Sequence, residues 1–60
     1  MITIIDTGNC EYSSTHPVRV TALELIKKQF GVNKGFVKTV KWDSLKQKTV
    51  LIKDYGFQEI

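Results

Sequence analysis

The stretch TALELIKKQFG, Thr21 to Gly31, decides the fold of this 60-residue chain. Thr21 and Glu24 have the spacing of a capping box, in which each side chain satisfies a backbone amide at the start of a helix. Gly31 is a natural stop, because glycine readily takes the left-handed conformation that ends a helix. The sequence therefore predicts an amphipathic helix from Thr21 to Phe30, too short to be stable alone. One arc at 3.6 residues per turn is apolar and predicted to face the core: Ala22, Leu23, Leu25, Ile26 and Phe30.

Two segments after the helix have the composition of β-strands. Residues 36–42, FVKTVKW, and residues 48–53, KTVLIK, are rich in β-branched and aromatic side chains. The polar residues 43–47 separate them, which predicts an antiparallel hairpin with a five-residue loop. Asn33-Lys34-Gly35 is predicted as the turn before this hairpin. Tyr55-Gly56-Phe57 is predicted as a short edge extension that covers one end of the core.

The residues before the helix predict one or two short strands. Ile2, Ile4 and Ile5 form a β-rich run that ends in the turn residues Asp6-Thr7-Gly8-Asn9. Residues 10–15 can return as a second strand. Pro17 biases His16 towards an extended backbone, and Val18-Arg19-Val20 alternates as a short strand would.

Taken together, these elements predict an α+β fold for residues 1–60 as a single compact domain. One helix packs on a three- to four-stranded antiparallel sheet in the order β-(β)-α-β-β. Because a single helix covers only one face of a sheet, we expect the other face to be open.

The composition limits the chemistry that the chain can support. One cysteine allows no internal disulfide, and one cysteine with one histidine falls short of a zinc site. We therefore expect no cofactor and no metal. No basic and apolar leader begins the chain, and no apolar run could span a membrane, so we expect a soluble protein in the cytoplasm of a bacterial host cell.

The net charge of +3 hides an uneven distribution. All eight lysines fall within residues 27–53, against the single carboxylate of Asp43, so this segment has a charge of +7. Residues 1–26 and residues 54–60 each have a charge of −2. A concentrated basic segment is a hint about binding partners.

Two local patterns suggest catalysis but also have simpler interpretations. Asp6-Thr7-Gly8 matches the triplet of aspartic peptidases, which a homodimer could complete with a second Asp. We favour an Asp-x-Gly turn, since no second segment is present to hold a catalytic loop. Cys10 and His16 could form a nucleophile and base only with an orienting group and oxyanion donors, so we expect a half-buried Cys10 and a His16 in a loop. The sequence predicts a protein that is not an enzyme.

Residues 21–42 resemble the helix, turn and strand of the small T7-type phage inhibitor of bacterial RNA polymerase. The resemblance rests on Ala22-Leu23-Glu24-Leu25 at the start of a helix, and on Gly35-Phe36 followed by Thr39 and Val40 in a strand. It implies one helix on a three-stranded antiparallel sheet and a small phage-type inhibitor. The arginines of that family's strand have no counterpart here, where Lys38 and Lys41 are the basic residues, so no functional residue is carried over.

We therefore expect a non-enzymatic phage protein that docks on a larger host protein with an acidic surface and inhibits or modulates it. A nonspecific nucleic-acid-binding protein is the alternative, because lysines and aromatic residues are interleaved along the hairpin. A dimeric enzyme like the aspartic peptidases is a remote alternative, and a homodimer without activity is also left open. The predicted partner-binding residues surround the hairpin: Lys38, Lys41, Trp42, Lys46, Lys48 and Tyr55.

Overall fold

The computed structural model describes residues 1–60 and confirms the α+β fold. One helix and four strands follow one another in the order β1, β2, α1, β3, β4. Their bounds are β1 (Ile2–Asp6), β2 (Glu11–Ser14), α1 (Arg19–Phe30), β3 (Lys34–Asp43) and β4 (Lys48–Glu59).

The four strands form one antiparallel sheet in the spatial order β2-β1-β3-β4. The first and last pairs are hairpins of neighbouring strands. The central pair joins the two ends of the chain: Ile5 lies opposite Val37, and Thr3 lies opposite Thr39. The predicted second strand is confirmed as β2, which forms one edge of the sheet, and β4 forms the other edge.

The helix begins two residues earlier than predicted. Val18 is the N-cap in an extended conformation and has no side-chain cap bond, and its carbonyl accepts the first helical hydrogen bond from the Ala22 amide at 2.9 Å. The capping box at Thr21 and the short strand at residues 18–20 were therefore wrong predictions. The first turn of the helix makes a tertiary contact, in which the Arg19 guanidinium lies 4.3 Å from the centre of the Tyr55 ring. This contact outweighs the alternation of the three residues 18–20.

The helix ends where the sequence indicates. Gly31 adopts a left-handed conformation with φ of 70°, and its amide donates to the Lys27 carbonyl at 2.9 Å. This confirms Gly31 as the stop signal.

The core lies between the helix and the sheet and is small. Its apolar cluster consists of five buried side chains, with partly buried aromatic and aliphatic residues at its margin. Only part of the predicted apolar arc is buried, because Leu25 and Phe30 are exposed. Phe30 instead contacts Tyr12 of β2, with tilted rings whose centroids are 5.1 Å apart. The five buried members of the cluster are Ile5, Leu23, Ile26, Val32 and Val37.

Strands β3 and β4 are longer than the sequence predicts. Lys34 and Gly35, predicted in a turn, are the first residues of β3. Gly35 is buried and pairs with Gln58 of β4, and β1 lies so close to it that an added Cβ atom would clash with Ile5. The predicted edge extension at residues 55–57 is confirmed as part of β4, and Tyr55 packs against the core cluster.

Two β-bulges interrupt the pairing of β3 with β4. The register shifts between Val37 and Lys38 and again between Thr39 and Val40, so that Tyr55 and Ile52 of β4 have no partner in β3. Gly56 follows the first bulge with a φ of 72°, and its amide donates to Asp54 Oδ1 at 2.8 Å. The bulges preserve the alternation of β3 while shifting that of β4.

The helix packs mainly on one half of the sheet. It contacts β1 and β2, and the β3–β4 hairpin extends beyond it along a molecule that measures 35 × 20 × 17 Å. The single helix is too short to cross a lipid bilayer. The end of the hairpin is consequently accessible from both sides.

Candidate functional site: a hairpin with two different faces

Strand alternation gives the β3–β4 hairpin two distinct faces. The face of the sheet that carries the buried Ile5 and Val37 is called the helix side, and the opposite face is called the open face. Successive side chains of a strand point to opposite faces. The register with β1 therefore places Lys41 on the helix side, and Lys38 and Trp42 on the open face.

The helix side of the hairpin is basic. Lys41, Lys48 and Lys53 lie there by register, and Asp43, opposite Lys48, is the carboxylate among them. Because the helix does not extend over this part of the sheet, these lysines are exposed. The surface therefore presents positive charge on a rigid strand pair.

Tyr55 links this basic surface to the helix. Its ring is half-buried against the core, with the Arg19 guanidinium 4.3 Å and the Lys53 Nζ 5.1 Å from the ring centre. Both distances fall within the range of cation–π attraction. The ring thus holds two cations beside one another and extends the basic surface from β4 to the first turn of α1.

The open face is apolar and aromatic. Phe36, Trp42, Leu51 and Phe57 retain 57%, 61%, 55% and 56% of their accessible surface. Phe36 and Phe57 lie opposite each other and contact edge to face, with ring centroids 5.4 Å apart. The half-buried side chains of Ile2 and Ile4 continue this face onto β1.

A tight turn connects the two strands. Asp43 Oδ1 accepts hydrogen bonds from the amides of Leu45 at 3.0 Å and Lys46 at 3.3 Å, which is the chemistry of an Asx turn. Gln47 completes the turn with a φ of 51°, and Leu45 at its tip is 95% exposed. The turn presents Lys46 at the extreme end of the molecule.

The structure divides the sequence-predicted partner-binding residues between these surfaces. Lys41, Lys48 and Tyr55 share the helix side, whereas Lys38 and Trp42 lie on the open face and Lys46 lies in the turn. The prediction therefore does not describe one continuous patch. Members of both surfaces were not predicted from the sequence: Arg19 and Lys53 on the helix side, and Phe36, Leu51 and Phe57 on the open face. Strand alternation within β3 was the available signal for Phe36.

The residues considered for catalysis have structural roles or lie apart. Asp6 Oδ1 accepts a hydrogen bond from the Gly8 amide at 2.8 Å, the Asx turn that the sequence favours. Cys10 is exposed rather than half-buried as predicted. His16 lies beyond the opposite end of β2, where its Nδ1 accepts from the Val18 amide at 3.0 Å.

One pocket of about 340 Å³ lies where the β1–β2 turn, the helix end and the start of β3 meet. Four of its eleven lining residues are aromatic, and its polar groups include Asp6, which is engaged in the turn described above. Nowhere in the chain do three His, Cys, Asp or Glu side chains converge as a metal site would need.

No known protein family, characterised protein or solved structure matches this chain.

Proposed function

We propose that this chain is a non-enzymatic binding protein of the phage inhibitor type, which docks on a larger bacterial protein through the helix side of its β3–β4 hairpin. The observation that carries the proposal is the group formed by Lys41, Lys48 and Lys53 on one exposed side of a projecting strand pair. The partner surface is acidic, and docking on it inhibits or modulates the host protein.

The arrangement of these residues favours recognition of a protein partner over a role in solubility alone. The lysines surround Val50, which is half-buried, and the half-buried ring of Tyr55 with Arg19 above it. An apolar and aromatic centre surrounded by charges is the usual anatomy of a protein interface. The surrounding lysines increase the association rate with an acidic partner, because long-range attraction steers diffusional encounter.

Nonspecific binding of nucleic acid is the second candidate function, because the same lysines could contact phosphates. The geometry weakens its other support. Phe36 and Trp42 lie on the open face, away from Lys41 and Lys48, so base stacking and phosphate contacts would not occur on one surface. Nucleic acid therefore remains the less favoured partner.

The proposal is tested by affinity capture from a bacterial lysate with a matched pair of double variants. K41Q/K48Q removes two charges from the helix side, and K28Q/K34Q removes two charges elsewhere. We expect the wild-type chain to recover a stoichiometric protein partner, K41Q/K48Q to reduce its affinity about tenfold, and K28Q/K34Q to retain it. Equal loss in both variants, or no stoichiometric partner, would contradict the proposal.

A titration distinguishes the two partner classes. Fluorescence anisotropy with labelled single-stranded DNA and RNA is measured at about 50 and about 200 mM salt, where phosphate binding weakens steeply. The protein-binding proposal predicts negligible affinity at both salt concentrations. Tight binding at the lower concentration that K41Q/K48Q abolishes would favour nucleic acid instead.

A further inference from the structure

The open face carries more apolar surface than a small monomer usually exposes. Four large side chains on it keep more than half of their accessible surface, while only seven apolar residues of the whole chain are buried. A chain of this length buries a modest share of its surface on folding, so its stability is marginal without further burial. Exposed apolar surface of this extent marks an interaction site.

We propose that the open face binds a second copy of this chain, so that two sheets pack face to face with their strands running head to tail. This inference is independent of the proposed function, which uses the opposite side of the hairpin. It commits to a homodimer because the distribution of charge on the molecule is complementary to itself in that orientation.

One end of the open face is acidic. Asp6 and Glu11 lie opposite each other, and Lys34 lies opposite Glu59, all on the open face by register. Three carboxylates against one lysine give this end a charge of −2.

The turn at the other end of the open face is basic. Lys46 lies in this turn and gives the end a charge of +1, whereas Lys41, Lys48 and Asp43 lie on the helix side. The two ends are about 30 Å apart, because Lys34 and Asp43 are nine residue steps apart along β3, at about 3.4 Å per step. This distance is well beyond the Debye length of about 8 Å at physiological salt, so each end acts as a separate charge.

A two-fold axis that makes the strands of the two copies run in opposite directions pairs both charged ends with ends of opposite charge. It brings the basic end of each copy to the acidic end of the other, and it places Trp42 of one copy towards Phe36 and Phe57 of the second. A parallel arrangement would instead place like charges together. Between the two ends, Lys38 and Asp54 lie opposite each other and form a balanced pair.

The open face is also large enough to form a dimer interface. Strands β1 to β4 contain 5, 4, 10 and 12 residues. At about 3.4 by 4.8 Å per residue, they project to about 500 Å². Side-chain relief makes the accessible area larger than this projection, so two faces offer more than about 1,000 Å², the size expected of a biological interface.

Pairing of two β4 edges fits the structure less well. The bulges at Ile52 and Tyr55 and the positive φ of Gly56 interrupt the regular row of amides and carbonyls along this edge. Natural proteins use bulges and lysines to protect exposed edges from such pairing. The edge therefore offers no continuous ladder to a second copy.

The chain carries one tryptophan, and it lies on the proposed interface, which provides a direct test. Sedimentation velocity and Trp42 emission are recorded together from about 5 to about 500 µM. We expect conversion from monomer to dimer and a blue shift of the emission over the same range. A monomer throughout, or a dimer without a shift in emission, as edge pairing would give, overturns the proposal.

Substitutions test the face and the orientation separately, with circular dichroism to verify folding. L51D on the open face is expected to weaken the dimer at least tenfold, and L45N, which adds no charge beside Lys46 in the exposed turn, is expected to leave it unchanged. For the orientation, K46E and E59K should each weaken the dimer severalfold, and the double variant K46E/E59K should restore it. A dimer that tolerates L51D, or a double variant weaker than both single variants, overturns the face-to-face, head-to-tail packing.

Discussion

Gly35 occupies a position with no room for a side chain. A Cβ atom built there would lie 2.7 Å from Ile5 Cγ2 and 2.8 Å from the Asp6 carbonyl oxygen. The second contact is with backbone, so the clash cannot be relieved by a side-chain rotation. We expect G35A to lower the free energy of unfolding by about 2–3 kcal/mol, measured by urea denaturation.

Gly31 provides the matched control for this prediction. It has positive φ but open space around its Cβ position, so G31A should cost only the strain of a left-handed alanine, about 1 kcal/mol. Similar losses in G31A and G35A would show that close packing at the β1–β3 contact is not the cause.

Thr39 is a position at which a substitution should stabilise the protein. Its side chain is 4% exposed, and its Oγ1 has no hydrogen-bond partner. A buried hydroxyl without a partner is destabilising, so the isosteric T39V should raise the free energy of unfolding by about 1 kcal/mol.

A threonine whose hydroxyl is hydrogen-bonded should lose stability on the same substitution. Thr7 Oγ1 donates to the Cys10 carbonyl at 3.2 Å and accepts from the Cys10 amide at 3.3 Å. T7V should therefore destabilise the protein. If T39V and T7V changed stability in the same direction, the hydrogen-bond explanation would be wrong.

At the scale of elements, a better N-cap residue should stabilise the start of the helix. Val18 has the extended backbone of an N-cap but no side chain able to accept an amide hydrogen. V18S should raise the free energy of unfolding by about 1 kcal/mol in thermal or urea denaturation. T21A should not show the loss of a cap, because Thr21 lies within the helix; a cost of about 1 kcal/mol would restore the capping box predicted from the sequence.

The existence and order of the elements could be predicted from local patterns. The apolar arc that ends at Gly31 predicts the helix, and the two β-branched runs predict the hairpin. The helix start could not be predicted, because the contact of Arg19 with Tyr55 joins residues far apart in the chain. The strand status of Gly35 depends equally on β1, which approaches it too closely for any larger residue.

The candidate site was predictable only in part, for a related reason. The concentration of lysines is evident in the sequence, and alternation within β3 already separates Lys38 from Lys41. The face of each β4 residue depends on the bulges at Ile52 and Tyr55, which no local pattern indicates. Treating the hairpin as one surface therefore combined residues that face in opposite directions.

At the scale of the whole molecule, stability should depend on concentration. If the open face is covered only in the dimer, mass action stabilises the folded state as the chain concentration rises. The melting temperature of the wild-type chain should increase by several degrees from about 5 to about 500 µM, since about 1 kcal/mol shifts a domain of this size by about 4–8 °C. The melting temperature of L51D should depend much less on concentration.

The close approach of Gly35 to Ile5 also has a consequence for the folding pathway. The β1–β2 and β3–β4 hairpins join residues near in sequence, whereas the β1–β3 contact brings residues 2–6 to residues 36–40. Hairpins form within about 10 µs, but the central contact must first close a loop of about thirty residues. We expect this closure to limit the folding rate, so that G35A mainly slows refolding in stopped-flow experiments and changes unfolding little. A faster unfolding rate with unchanged refolding would place the closure after the barrier, and the time to reach the native state would then be set within the hairpins.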